Sequence, residues 1–221
     1  MPHIDLNCDL GESFGAYTIG LDETVTPHVT SVNIACGWHA GDPLVMERTV
    51  ALAKQCGVAI GAHPGFPDLL GFGRRELKVS PDEVYSYVKY QIGALYAFAR
   101  SHHMELQHMK AHGSLYNMAG KDIRLAEAMC RACRDFDSQL ILLALAGSKM
   151  EEAAQQMGVP CAREFFADRA YSPDGSLAPR SMPGAVLHDT QAALDRVVKM
   201  IQTGKVTAID GTEIPVACDS I

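Results

Sequence analysis

Residues 33–43 read "NIACGWHAGDP", and they decide the fold. An apolar run of strand length ends in Cys36, Gly37, Trp38 and His39. Two glycines then lead to Asp42-Pro43, a helix N-cap followed by proline at the first helical position, and Gly57 is placed to stop that helix. A strand that stops on chemistry and feeds a helix is one unit of a parallel α/β array.

Working outward, similar apolar runs recur at 4–8, 58–62, 106–109, 140–145 and 159–166, with helical patterns between most of them. Ser80 and Glu83 are spaced as a capping box, opening a helix with Val84, Val88, Ile92 and Leu95 on one stripe. A shorter helix lies between Met150 and Gly158. A later one carries Leu194, Val197, Val198 and Ile201 at the spacing of a buried face and stops at Gly204. Strand, loop and helix repeated about six times predict a parallel sheet covered by helices. In "KVTAIDGTEIPV" (205–216), Asp210-Gly211 between short extended runs predicts a hairpin before the last run, "ACDSI".

Composition bounds the function. The net charge of −7 argues against a nucleic-acid partner held by phosphate contacts. No apolar run approaches a membrane span, and "MPHIDLNCD" has no basic region leading into an apolar stretch, so neither a membrane anchor nor a secretory leader is expected. Seven cysteines at irregular spacing fit a reduced, cytoplasmic chain. Cys130 and Cys133 lie in a helical segment with no second pair, which is weak grounds for structural zinc. A single domain over residues 1–221 is expected.

Polar residues gather after nearly every strand. They are Asp5, Asn7, Asp9 and Glu12; Asn33, His39 and Asp42; His63, Asp68 and Arg74; Lys110, His112, Tyr116 and Asn117; and Glu164, Asp168, Arg169, Tyr171 and Arg180. A parallel barrel brings such positions to one rim, whereas an open doubly wound sheet would show GxGxxG, which is absent. Taken singly, Asp5 and Asp9 read as turn residues, Asp42 as a helix cap and the arginines as solvated. Lys110 is different, because an unpaired ammonium at the end of an apolar strand is costly. Carboxylates and imidazoles beside a lysine suit proton transfer at a polar carbonyl or the binding of a divalent metal that activates water. No GxSxG elbow supports a nucleophilic serine.

"IDLNCDLGESFG" (4–15), "NIACGWHAGDP" (33–43), "GAHPGFPDLLGFGRR" (61–75), "KAHGSLYN" (110–117) and "FADRAYSPDGSLAPR" (166–180) together resemble the LamB/YcsF family, whose members form the A subunit of prokaryotic 5-oxoprolinase. The resemblance implies a distorted parallel β/α barrel, TIM-like and related to glycoside hydrolase/deacetylase barrels, with as many as seven strands. It implies ATP-dependent opening of the 5-oxoproline (pyroglutamate) lactam to L-glutamate, with ATP and its Mg2+ as cofactor and subunits B and C as partners. A homo-oligomer is left open. No Walker A motif occurs, so a nucleotide site is of another kind or is completed by partners.

On this reading the catalytic set is Asp9, Glu12, His39, Asp42, His63, Lys110, His112 and Asp168. Substrate contacts are expected from Asn7, Asn33, Arg74, Arg169 and Tyr171. If a protein-bound metal is present, Asp5, Asp9, His39 and His63 are its candidate ligands. Mild departures from the family pattern are Trp38, Gly65, Ala111 and Ser114. The family continues past "ACDSI" into a further strand, a His-Gly-Asp motif and a closing helix, which this sequence does not contain. Two other readings stand beside this one: a metal-dependent amidase or deacetylase that needs no ATP, and a non-catalytic binding or assembly subunit.

Overall fold

The structure is a computed structural model describing residues 4–221; residues 1–3, part of the stretch inspected for a leader, lie outside it. The chain runs β1 (Asn7–Leu10), α1 (Asp22–Val25), β2 (Ser31–Ala35), α2 (Pro43–Cys56), β3 (Ala59–His63), α3 (Pro81–Ser101), β4 (Leu106–Met109), α4 (Gly113–Ala119), α5 (Ile123–Phe136), β5 (Ile141–Leu145), α6 (Lys149–Met157), β6 (Cys161–Glu164), α7 (Thr190–Thr203), β7 (Lys205–Thr207) and β8 (Glu213–Pro215). Strands β1 to β6 form one parallel sheet in sequential order, and β7 and β8 form the antiparallel hairpin expected around Asp210-Gly211.

The sheet is a distorted barrel closed by a very short seventh element. Ser220 makes parallel bridges to both Asp5 and Glu164, next to the two free edges. Asn7 N–H donates to the Ile221 carbonyl (2.8 Å), and Phe165 N–H donates to that of Ser220 (2.9 Å). Closure removes the exposed edges that an open sheet would present.

The helix signals act locally. Asp42 caps α2 by accepting from the Leu44 and Val45 amides, and Gly57 ends it at φ 68°. Ser80 and Glu83 form the full capping box on α3. One expectation fails on α7. Val197 and Met200 pack inward, but Leu194, Val198 and Ile201 are half exposed, because no element among the described residues covers that stripe. Cys130 and Cys133 sit buried on the inner face of α5 as small hydrophobes.

The period of two along each strand sorts side chains between the helices and the barrel lumen. Val32, Ile34 and Ile60 join the apolar core. Asn7, Asn33 and His108 meet inside the barrel: Asn7 donates to Asn33 Oδ1 (3.2 Å), and His108 Nε2 lies 2.6 Å from the same oxygen. The His108 ring fits because Gly61 faces it; a Cβ there would stand 2.2 Å from His108 Nε2. Gly61→Ala is therefore expected to destabilise the protein by about 2–3 kcal/mol, read as a lower urea midpoint at unchanged slope.

Candidate functional site

The polar residues that follow β1 to β4, with one from the end of β6, converge at the C-terminal end of the barrel. Asp9 comes from β1 and Glu12 from the turn after it; His39 follows β2, His63 ends β3, Lys110 and His112 follow β4, and Glu164 ends β6. Asp9, His63, Lys110 and His112 border a cavity of about 430 Å³ whose lining also includes Arg74, Arg169 and Arg180.

Two subclusters share the floor. In the first, Lys110 is buried with Nζ 2.5 Å from Glu164 Oε1 and 3.3 Å from Asp9 Oδ1. Glu164 also accepts from the Tyr116 hydroxyl at 2.8 Å, and the Phe166 ring lies against the ammonium at 5.0 Å. Burial opposes the lysine's charge, yet Asp9 and Glu164 overcome it and hold its pKa above the ordinary value. Lys110 is therefore a fixed cation rather than a base.

In the second, His63 Nε2 lies 3.0 Å from His112 Nδ1 and 3.3 Å from Asp9 Oδ2, while Glu12 Oε1 lies 3.2 Å from His39 Nε2 and 3.4 Å from His112 Nδ1. The His39 and His112 rings stack in parallel with centroids 3.7 Å apart. Burial works against charge on Asp9, but His63 and Lys110 outweigh it and keep its carboxyl well below the usual range. His63 is held above its ordinary value because Asp9 overcomes its burial. Burial, reinforced by His63, pushes His39 well down and His112 down to about 2. Burial raises Glu12, with Asp9 adding and His63 opposing. Adjacent acids and bases are thus pushed apart, an arrangement suited to proton transfer.

Around the mouth, Arg74 and Arg169 are each held below the ordinary arginine value by burial and then by Arg180. Arg169 donates to the carbonyls of Ala178 (2.7 Å) and Ala185 (3.4 Å), which fix its orientation. Three guanidiniums that repel one another beside a polar cavity form a seat for a carboxylate or phosphate.

The remaining sequence candidates lie elsewhere. Asn7 and Asn33 form the layer beneath the floor, where Asn33 Nδ2 donates to Asp9 Oδ1 (2.8 Å) and orients it. Asp42 caps α2 and accepts from the Gly15 amide at 2.6 Å. Asp168 is exposed, and its carbonyl accepts from the Leu187 amide. Tyr171 is core: its ring stacks on Phe165 and its hydroxyl accepts from the Phe166 amide at 2.9 Å. Asp5 binds Thr30, Ser31 and Ser220 on the near side of β1 and β2, before the strands reach the floor. Of the expected metal ligands, His39 and His63 join the cluster, Asp9 flanks it and Asp5 is remote. Glu164 and Arg180, present among the strand-end residues but outside the expected catalytic and binding sets, belong to the site. Their signal is position: Glu164 is the last residue of β6, on its lumen-facing side.

The layer below has its own pH signature. Burial pushes His108 down to about 4 from its ordinary 6.5. Unfolded, it binds a proton near 6.5; folded, it resists until about 4. Between those values the unfolded chain holds more protons, so stability falls as pH drops through that window, by roughly 3 kcal/mol. Comparing urea midpoints at pH 7 and pH 4.5, His108→Gln is expected to lose less stability than wild type by most of that amount.

Residues 4–221 match the profile of the LamB/YcsF family. The chain belongs to the LamB/YcsF family. It is 58% identical to the 5-oxoprolinase A subunit of Clostridium beijerinckii, over 100% of this chain and 87% of that relative. It is 55% identical to the protein of the same name from Pyrococcus abyssi, over 99% of this chain and 86% of the relative. Among solved structures, a lactam utilization protein from Thermus thermophilus superposes with TM-score 0.94 at 49% identity, covering 98% of this chain and 88% of that one. No helix among the described residues is long and apolar enough to cross a membrane.

Proposed function

We infer that this LamB/YcsF chain is the A subunit of a cytoplasmic 5-oxoprolinase that opens the lactam of 5-oxoproline to L-glutamate, driven by ATP and together with subunits B and C. The observation that carries the reading is a fixed ammonium, Lys110, beside a cavity rimmed by Arg74, Arg169 and Arg180. 5-Oxoproline is a small molecule with one carboxylate and one amide carbonyl. The arginines suit the carboxylate or a transferred phosphate, and Lys110 suits negative charge growing on the lactam oxygen. The names of the relatives support the same substrate.

A five-membered lactam is a nearly unstrained amide and a poor electrophile. Transfer of the terminal phosphoryl group of ATP to its oxygen, with ADP leaving and the lactam N–H proton lost, makes a phosphorylated imidate. Water then adds at carbon, giving up a proton, and the ring nitrogen, reprotonated, departs as an amine, leaving an acyl phosphate. A second water releases phosphate and glutamate. Asp9, ionised at the cavity floor, is positioned to take a proton from the attacking water. Mg2+ accompanies the nucleotide, whose site lies on this chain or is completed by the partners.

The test is glutamate release from 5-oxoproline by this chain alone and mixed with B and C subunits, with and without ATP. Glutamate is expected only in the complete mixture with ATP. Glutamate formed equally without ATP, or none with partners proven competent beside another A subunit, would overturn the assignment.

A further inference from the structure

We propose that Glu12, His39, His63 and His112 bind one divalent transition-metal ion, of the zinc or cobalt class, through Glu12 Oε1, His39 Nε2, His63 Nε2 and His112 Nδ1. One ligand atom from each of these four residues lies within 4.8 Å of those of the other three. Four of the separations among them are 3.0, 3.2, 3.4 and 4.0 Å. A tetrahedral ion with bonds of about 2.0–2.1 Å requires ligand atoms about 3.4 Å apart, so the cluster is already near that size.

The hydrogen bonds behind His63 and His112 aim their lone pairs at the gap, whereas the His39 ring, stacked in parallel on His112 with centroids 3.7 Å apart, must tilt out of that stack for its own lone pair to reach the same ion. His63 Nδ1 lies 2.8 Å from the Lys110 carbonyl, and His112 Nε2 lies 2.8 Å from the Phe72 carbonyl. A carbonyl only accepts, so each of those nitrogens carries the proton, and in the neutral rings His63 Nε2 and His112 Nδ1 are bare. Two bare nitrogens therefore face each other at 3.0 Å, a contact that needs a cation between them or an added proton. Backbone carbonyls that orient imidazoles in this way are the usual supports of metal-binding histidines. In the absence of an ion, a proton on His63, shared with Asp9, fills the gap.

The third imidazole adds an independent sign. His39 is fully buried, its Nε2 is aimed at Glu12, and its Nδ1 has no hydrogen-bond partner among the described residues. A proton left on Nδ1 would be buried without an acceptor, and one on Nε2 would leave Nδ1 as a bare, unbonded lone pair. Either state leaves a buried polar atom unpaired; coordination through Nε2 compensates the penalty, because a metal bond is far stronger than the hydrogen bond it replaces. Three imidazoles and one carboxylate favour zinc, cobalt or iron over Mg2+, which prefers oxygen ligands. The ion is thus distinct from any Mg2+ carried by ATP. Asp9 Oδ2, 3.3 Å from His63 Nε2, stands beside the site rather than in it.

The experiment needs neither substrate nor ATP, so its failure is separable from failure of the 5-oxoprolinase reading. Chelator-stripped chain is titrated with Co2+, read by visible ligand-field absorption, and with Zn2+, read by calorimetry. One equivalent, with the intense bands of four-coordinate cobalt, is expected. Glu12→Gln and His112→Gln should each weaken binding at least about 100-fold. His102→Gln, a surface histidine paired with Glu47, should not. Absence of saturable binding by the folded wild-type chain would overturn the proposal. So would cobalt spectra of six-coordinate type, or binding unchanged in both ligand variants. If either variant fails to fold, judged by circular dichroism, the stoichiometry and cobalt spectrum of the wild type decide alone.

Discussion

Replacing Lys110 with methionine is expected to abolish ATP-dependent glutamate formation, by at least about 100–1,000-fold in kcat, and to cost about 3–5 kcal/mol of stability. The two effects have different origins. The catalytic loss follows from removing the cation that, on the proposed function, meets charge on the lactam oxygen. The stability loss follows from the partners left behind: Glu164 is buried, and its carboxylate is held by Lys110 at 2.5 Å and the Tyr116 hydroxyl at 2.8 Å. Burial already raises the Glu164 carboxyl despite the lysine's pull, and without Lys110 that carboxylate is an uncompensated buried charge. The double variant Lys110→Met/Glu164→Gln removes the stranded charge and is expected to recover most of the urea midpoint. It should recover none of the activity. Recovery of both together would mean that the lysine serves only to neutralise Glu164.

Asp9→Asn is expected to lower kcat by about 100–10,000-fold and to lower the melting midpoint modestly, since it removes the charge that balances Lys110 and His63. The amide keeps the shape of the carboxylate, and its oxygen still accepts from Asn33 Nδ2, a bond of 2.8 Å in the wild type. What disappears is the negative charge between His63 and Lys110. Asp9 is the group that lifts His63 against its burial, so the His63 titration, followed by NMR in metal-free protein, should move down in the variant. Loss of activity without that movement would separate the role of Asp9 from its pairing with His63. Unchanged kcat would remove it from the mechanism.

The barrel is legible in the sequence because its signals are local. Apolar runs place six strands within a few residues, and Asp42-Pro43, Ser80 with Glu83, and Gly57 each carry their own reason for starting or ending a helix. β1 begins at Asn7 rather than Ile4, since Asp5 contributes only a single bridge to Ser220. The α7 stripe departs from expectation because periodicity gives an amphipathic face but not its cover. The site is legible as a rim, from polar residues repeated after strands, while roles within it are not. The proline after Asp42 announces its role as the α2 cap, but nothing local marks Asp9 as a lumen residue rather than a turn residue; that follows from its place on the inward side of β1. Glu164 gains its role from Lys110, which follows a different strand, and no short-range pattern announces such a pairing.

The clasp at Ser220 bears on how the chain is made. Its hydroxyl reaches Asp5 across 215 residues of sequence, so the barrel cannot shut until residues 219–221 have emerged from the ribosome. Until then, β1 and later β6 are unmatched borders able to recruit a neighbouring nascent chain. Crowded polysomes and pauses ahead of that segment are the moments of greatest risk.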